Sequence, residues 1–369
     1  MPEIHAQRRS QLVEFIRDTQ RDAALITRLV NVRYLTCLSS SNAALLVTAD
    51  GGAVLATDGR YATAAGEVAP DVELLVDRNV AVALLLRAGA KGEQIKVGIE
   101  PHDVTLELES ALRTEVDVHG LKVELCHLGR VVEKLRAVKD DEELELIRQA
   151  CEISCRALED LYTAGGFTGR SEKEIARDLE WRMYGHGADA LAFETIVATG
   201  PNSAIPHHRP TDRVVEVGDL LKIDFGAMYR GYHADCTRTS VVGTEPADWQ
   251  REIYDLVAAA QKAGRDALVV GAECIGVDKA SRAVIDGAGH GENFGHGTGH
   301  GVGLEIHEAP TLGYSATGTL ADRMAVTVEP GIYLPGRGGV RIEDTLAVRA
   351  TGRPDVFTPT TKELLVLDA

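Results

Sequence analysis

The chain has 369 residues, of which 44% are apolar and 26% charged, enough for two or three packed domains. Its formal net charge is −17, from 56 acidic and 39 basic residues, which argues against a nucleic-acid partner or an anionic membrane surface. The opening stretch MPEIHAQRRSQLVEFIRD lacks a signal-peptide core, and the uncharged apolar run at residues 80–86 is too short to span a bilayer, so a cytoplasmic protein is expected. The six cysteines are scattered without zinc spacing, and they read as reduced, small apolar residues rather than a disulfide framework.

In chain order, a first amphipathic helix is expected over about residues 6–20. Short apolar runs follow: AALIT, NAALLVTADGGAVLAT, DVELLVD and IKVGIE. Asp-Gly and glycine turns separate them, and TADGGAVLAT reads as a hairpin. Helical stretches such as residues 80–88 intervene, and strands alternating with helices predict an α/β layer structure.

Near residue 130 the texture changes. The stretch VVEKLRAVKDDEELELIRQACEISCRALEDLY reads as one long helix after a lysine-rich lead-in, with Asp140, Asp141, Glu142 and Glu143 crowding its first turn. SEKEIARDLEWRMYG carries a capping box, Ser171 with Glu174, and stops at Gly185. Strand and turn then dominate until a helix at about 247–264. The expected domains are residues 1–130 and 131–369.

The second half carries the chemistry. In GDLLKIDFGAMYRGYHADCTRTSVVG two strand-like runs flank a turn near Arg230. Asp224 and Asp235 lie almost symmetrically about that turn, and the parity puts both carboxylates on one sheet face. Like charges there repel, and an apolar setting makes an unpaired carboxylate costlier still. A bound cation resolves both problems; two unrelated surface aspartates are the plainer alternative. Downstream, Glu329 ends the strand-like run AVTVEPGIY, and Glu343 sits inside GGVRIEDTLAV. Glutamate is rarely buried in such runs unless paired.

The segment FGHGTGHGVGLEIHE holds glycine at 295, 297, 299, 301 and 303. Its His296/His300 spacing suggests a helical metal site, but glycine costs about 1 kcal/mol in a helix interior and alternate glycines exclude that reading. A period of two makes the segment extended chain, with His296, Thr298, His300 and Val302 on one face, and bare glycine admits close neighbours. A flexible glycine-rich loop is the alternative. Four carboxylates and a glycine-flanked imidazole suit divalent ions, and four negative charges balance two of them.

These residues carry a family resemblance. HADCTRT, HGTGHGVGLEIHE, VEPGIY and RIED resemble the signatures of the pita-bread metallopeptidases over about residues 130–369. NVRYLT, NAALLVT and DGRYATAA resemble, more loosely, the N-terminal domain of prolidases and aminopeptidases P. The resemblance implies an α/β N-terminal domain followed by an α+β pita-bread catalytic domain. Asp224, Asp235, His300, Glu329 and Glu343 are the implied metal ligands, holding two divalent ions, manganese first, with cobalt or zinc as alternatives. Asp235 and Glu343 would bridge the ions, and Glu329 would also move the proton. His307 would stabilise the tetrahedral intermediate, and His207 would contact substrate near the leaving nitrogen. His296 is assigned to a supporting position, Arg341 to holding a ligand carboxylate, and His208 is left unassigned. Cys236 is expected to point to the opposite sheet face from Asp235.

The implied activity is cleavage of an N-terminal Xaa-Pro bond by a hydroxide shared between the ions. The substrates would be peptides with proline second, and the enzyme a homodimer. A prolidase confined to dipeptides is the close alternative, and a pita-bread protein that only binds a partner is the remote one. A dipeptidase must grip the proline carboxylate with a cation; Arg209, Arg238 and Arg337 are the candidates, none in a context that demands the role.

Overall fold

The computed structural model describes residues 2–368. The chain divides into two compact units, residues 1–136 and 137–369.

In the first unit, α1 (Pro2–Asp18) leads into β1 (Ala23–Ile26), α2 (Leu29–Thr36), β2 (Ala43–Thr48), β3 (Ala53–Thr57), α3 (Ala62–Val68) and β4 (Glu73–Val76). Then follow α4 (Val80–Gly89), β5 (Ile95–Ile99), α5 (Leu106–Val118), β6 (Val123–His127) and α6 (Val131–Ala137). One sheet of order β4-β3-β2-β1-β5-β6 results. The Asp-Gly hairpin joins β2 to β3 as expected, and the helical connections make β3/β4, β1/β5 and β5/β6 parallel. Central β1 reads AALI and is buried at every position, as a strand covered on both faces must be. Leu25, Leu46, Val97 and Ile99 pack against Leu84, Leu85 and Leu112 from α4 and α5.

The second unit contains α7 (Asp141–Ala164), α8 (Glu172–Gly185), β7 (Ala190–Leu191), β8 (Ile196–Thr199), β9 (Leu220–Phe225), β10 (Ala227–Tyr229), β11 (Tyr232–His233) and β12 (Cys236–Val242). It continues through α9 (Asp248–Asp266), α10 (Cys274–Gly287), β13 (Gly299–Gly301), β14 (Glu308–Leu312) and β15 (Ala325–Val328). Strands β16 (Gly331–Leu334), β17 (Gly338–Arg341), β18 (Asp344–Ala347), β19 (Asp355–Val356) and β20 (Val366–Leu367) complete it. Two sheets matter for the site, ordered β20-β12-β9-β8 and β14-β13-β15-β18-β19.

The long helix expected after the lysine-rich lead-in is α7, with its acids in the first turn, and the lead-in itself holds the short helix α6. Val138 bridges Met324, the Lys139 N–H donates to the Arg323 carbonyl (3.0 Å), and Lys139 Nζ pairs with Glu308 (2.7 Å). These contacts straighten the chain, and Asp140 restarts a helix with a full capping box to Glu143. The second capping box, Ser171 with Glu174, is present as read. Helix α10 was not foreseen: Gly276, Val277, Val284 and Ile285 give it weak intrinsic propensity, and packing against the second sheet stabilises it instead.

Period-two alternation assigns the sheet faces. On β9, Leu221, Ile223 and Phe225 pack with α7 and α8, which leaves Lys222 and Asp224 on the other face. On β15, Val326 and Val328 pack with α10, which leaves Thr327 and the following Glu329 on the other face.

Leu25 is 0% exposed at the centre of the first sheet. Leu25→Ala should destabilise that unit by about 2–5 kcal/mol, read as a lower midpoint of its urea transition. An unchanged midpoint would contradict the packing described.

Candidate metal centre

The register of β9 and β12 places Asp224 opposite Thr237 and Phe225 opposite Cys236. Met228 faces His233 in the β10/β11 hairpin in continuous register with it, so Asp235 lies diagonally from Asp224 on the same face. Cys236 points the other way, into the packing with α7 and α8, as expected.

His300 sits in the middle of β13, which pairs with β14 on one side and β15 on the other. The glycines on either side of it have a steric cause. A Cβ at Gly299 would collide with the Thr327 carbonyl, and one at Gly301 with the Ala309 carbonyl, whereas Gly295 has open space. Two backbones close on the strand that carries the imidazole, and only glycine lets them in. The His300 N–H donates to Thr327 Oγ1 (3.1 Å). Glu329 follows β15, and its N–H donates to the Thr298 carbonyl (2.7 Å). Glu343 joins β17 to β18; its N–H donates to the Thr237 carbonyl (3.1 Å), and Thr237 Oγ1 donates to its Oε2 (2.6 Å).

Asp235, His300 and Glu343 each offer a donor atom within 4.8 Å of the others. His300 Nε2 lies 3.5 Å from Asp235 Oδ2 and 3.3 Å from Glu329 Oε1. Asp224 is gripped by Arg341, so the carboxylate held by that arginine is Asp224. Arg341 also donates to Thr237 Oγ1, the Tyr333 hydroxyl and the Pro206 carbonyl, each at 3.0 Å. All five expected ligands line one cavity of about 440 Å³, together with His207, His296, His307 and Arg341. The rings of His300 and His307 meet edge to face with centroids 4.3 Å apart. His296 is fixed by the Tyr333 hydroxyl at 2.9 Å.

Of the carboxylate-binding candidates, Arg209 lines the cavity rim, 85% exposed and 3.3 Å from Glu194. Arg238 does not: it is buried and bonds Asp344 and the Thr358, Thr360 and Thr361 carbonyls. Arg337 stacks over Trp249, 4.3 Å from its ring, and also lies off the cavity. Tyr333, which ties His296 to Arg341, was not singled out because it lies in an apolar run that reads as core.

Burial dominates the electrostatics. It pushes Asp235 up to about 7 and Glu343 well above the usual carboxylate range, reinforced by the neighbouring carboxylates and offset for Asp235 by His300. Burial also opposes the charged form of His300, but its bonds to Asp235 and Glu329 outweigh this and raise it well above an ordinary imidazole. The same imidazole overcomes burial at Glu329 and draws it down to about 2. His307 is lowered, by desolvation and then by the charge on His300. Asp224 Oδ1 and Glu343 Oε1 are buried and accept no hydrogen bond. Two orphaned carboxylate oxygens among crowded carboxyls and an imidazole are a donor set that fits divalent metal.

A second group, Glu100, His102 and Glu133, also has metal-ligand proximity. There Glu133 Oε1 already receives His102 Nε2 (2.6 Å), Asn31 Nδ2 (3.0 Å) and Arg28 (2.9 Å). Both Glu100 oxygens likewise have donors, in Asn31 and the Thr27 and Arg28 amides. Arg28 offsets the Glu133 charge there, while Glu133 Oε2 and His102 Nδ1 are buried without a hydrogen-bond partner.

Two predictions follow from this geometry. Gly299→Ala should abolish metal retention, measured by elemental analysis, while Gly295→Ala keeps it; equal behaviour would contradict the close-approach account. In the metal-free protein, Asp235 titrates near 7, above its unfolded value, so its ionisation costs stability as pH rises through 7. Asp235→Asn should then be more stable than the parent at pH 8, by about 1–4 kcal/mol, with the gap narrowing as pH falls below 7 and closing only near the ordinary carboxylate value of about 4. Saturating Mn2+ should reverse the order, because the parent alone gains binding energy in full. A parent at least as stable as the variant in metal-free buffer at pH 8 would contradict the repulsion described.

Residues 145–350 match the metallopeptidase family M24 model, and residues 8–138 match the creatinase/prolidase N-terminal domain. The Xaa-Pro dipeptidase of Pyrococcus furiosus is 36% identical over 97% of this chain and 99% of its own. Among solved structures, an Xaa-Pro dipeptidase from Bacillus anthracis superposes with a TM-score of 0.91 at 36% identity, covering 100% of both chains. An X-Pro aminopeptidase from Thermotoga maritima superposes at 0.87 with 33% identity, covering 97% of this chain and 99% of its own. The α/β first unit and the pita-bread second unit are thereby both accounted for, and the chain belongs to the M24 metallopeptidases, as a metallo-exopeptidase carrying a creatinase/prolidase N-terminal domain.

Proposed function

We propose that this chain is a dinuclear metallopeptidase that cleaves the bond between an N-terminal residue and proline, in the cytoplasm and as a homodimer. The observation that carries the reading is the convergence of Asp235, His300 and Glu343, with Asp224 and Glu329 lining the same cavity. Asp224 would hold one ion and His300 the other, Asp235 and Glu343 would be shared, and Glu329 would complete the set. Manganese is the proposed metal; cobalt and zinc suit the same donors. When bound, such ions activate a water and polarise the scissile carbonyl.

The chain's own residues do the rest. Arg341 and Thr237 hold the Asp224 and Glu343 carboxylates at fixed angles. Glu329 would take the water proton and return it to the proline nitrogen, which must be protonated to leave. His307, kept neutral at pH 7, would donate its single ring N–H to the carbonyl oxygen as negative charge develops there. His207, on the loop opposite, would contact the substrate near the leaving nitrogen.

Substrate length turns on what meets the proline carboxylate. Among the described residues lining the cavity, Arg341 is committed to Asp224, and Arg209 is exposed and paired with Glu194. A site without a fixed cation at that end leaves it open, which favours an aminopeptidase acting on longer peptides. The second reading is a dipeptidase, favoured by the names of the Pyrococcus and Bacillus relatives, with Arg209 as the carboxylate's partner.

Chelation should abolish hydrolysis of an Xaa-Pro-Yaa tripeptide and Mn2+ should restore it; full activity in metal-free protein would refute the reading. His307→Ala should lower turnover by about 10²–10³ with metal content unchanged. The tripeptide should be cut with a kcat/KM at least equal to that of the Xaa-Pro dipeptide. Cleavage of dipeptides alone, with KM raised by Arg209→Ala, would select the dipeptidase.

A further inference from the structure

The segment 199–211 carries His207 to the cavity. It runs through a 3-10 turn (Gly200–Ala204) and then a tight turn at residues 206–207. His207 is exposed at the cavity wall, while His208 is 7% exposed and turns inward. His208 meets Glu172, the first residue of α8, which has 0% exposure. Glu172 Oε1 accepts from the Thr199 N–H (2.8 Å), Thr199 Oγ1 (3.2 Å) and Asn202 Nδ2 (2.9 Å). Its Oε2 accepts from His208 Nε2 (2.8 Å), the Thr211 N–H (2.9 Å) and Thr211 Oγ1 (2.6 Å). One carboxylate thus ties both ends of the segment and its middle to a helix start.

The opposite side of the segment is held from the metal centre. Arg341 donates to the Pro206 carbonyl (3.0 Å), and Lys222 Nζ donates to the Ile205 carbonyl (2.7 Å). Residues 205 and 206 are therefore fixed to the floor that bears Asp224, and His208 is fixed to Glu172. His207 lies between these two anchors, which fix the backbone that carries it. Loops are ordinarily the mobile part of a site. A buried carboxylate is costly unless its oxygens are fully bonded, and this one is, with burial outweighed by its donors so that it titrates at about 2.

We propose that Glu172 is a positioning residue: through His208 and Thr211 it aims His207 at the substrate. The proposal rests on the role given to His207 above. Removing one anchor would let His207 drift by the ångström that costs on the order of 10²-fold in rate.

The test is a double-mutant cycle in the full-length, Mn2+-loaded protein, with hydrogen–deuterium exchange of residues 199–211 as a readout independent of activity. Glu172→Gln places an amide where the Thr211 N–H needs an acceptor. It should raise exchange in 199–211 and lower kcat on the order of 10²-fold with metal content unchanged. In the His207→Ala background it should change kcat by less than about twofold, because the effect passes through His207. An equal loss in both backgrounds, lost metal, or unchanged exchange would overturn the proposal. If His207→Ala alone leaves kcat unchanged, or the parent cuts no Xaa-Pro substrate, the functional reading has failed; increased exchange confined to 199–211 then still supports Glu172 as the anchor of the segment. Should Glu172→Gln not fold, His208→Ala and Thr211→Ala remove single bonds to the same carboxylate, and the same cycle and outcomes apply.

Discussion

Repulsion between carboxyl groups sets the terms for the second unit. Asp224, Asp235, Glu329 and Glu343 bring four acids to one cavity, three of them buried. In water each would ionise freely; here burial and mutual charge push Asp235 and Glu343 towards their neutral forms. The protein supplies partial remedies. Arg341 neutralises Asp224, His300 bridges Asp235 and Glu329, and Thr237 donates to Glu343. Two carboxylate oxygens stay unpartnered even so. A cluster assembled at this cost and left incomplete is arranged for positive charge that the side chains do not provide.

The sheets exist, for function, to hold that cluster in place. Each acid lies at or just beyond a strand end, on the face opposite to the packed helices. The hydrophobic faces of β9 and β15 lock onto α7, α8 and α10, and the alternation of the strand then leaves the acids no other direction. His300 reaches the cluster because glycine on either side admits the Thr327 and Ala309 carbonyls. The supporting threonines at 237 and 327 are small, β-branched and hydroxyl-bearing, suited both to a strand and to a hydrogen bond within it.

What could be read from sequence follows the range of each interaction. The parity of Asp224 and Asp235 about their turn is local, as is the glycine alternation around His300, and both were legible. The capping boxes at Asp140 and Ser171 are local too. The short helix α6 in the lead-in was not, and neither were the contacts that straighten residues 138–139 after it, because they come from Glu308, Arg323 and Met324, far along the chain. Helix α10 is held by tertiary packing against weak propensity. Glu172 reads as an ordinary first-turn acid, since its six donors come from a segment some thirty residues later. The partner of Arg341 was open for the same reason: a cross-sheet contact to Asp224 leaves no trace in spacing.

The central claim is that these acids are gathered for two divalent ions. Calorimetric titration of Mn2+ into metal-stripped protein near neutral pH tests it most directly. The account predicts two ions per chain, with protons released as the ions displace those on Asp235, Glu343 and His300. Saturation without measurable binding, or with a single ion per chain, would contradict it.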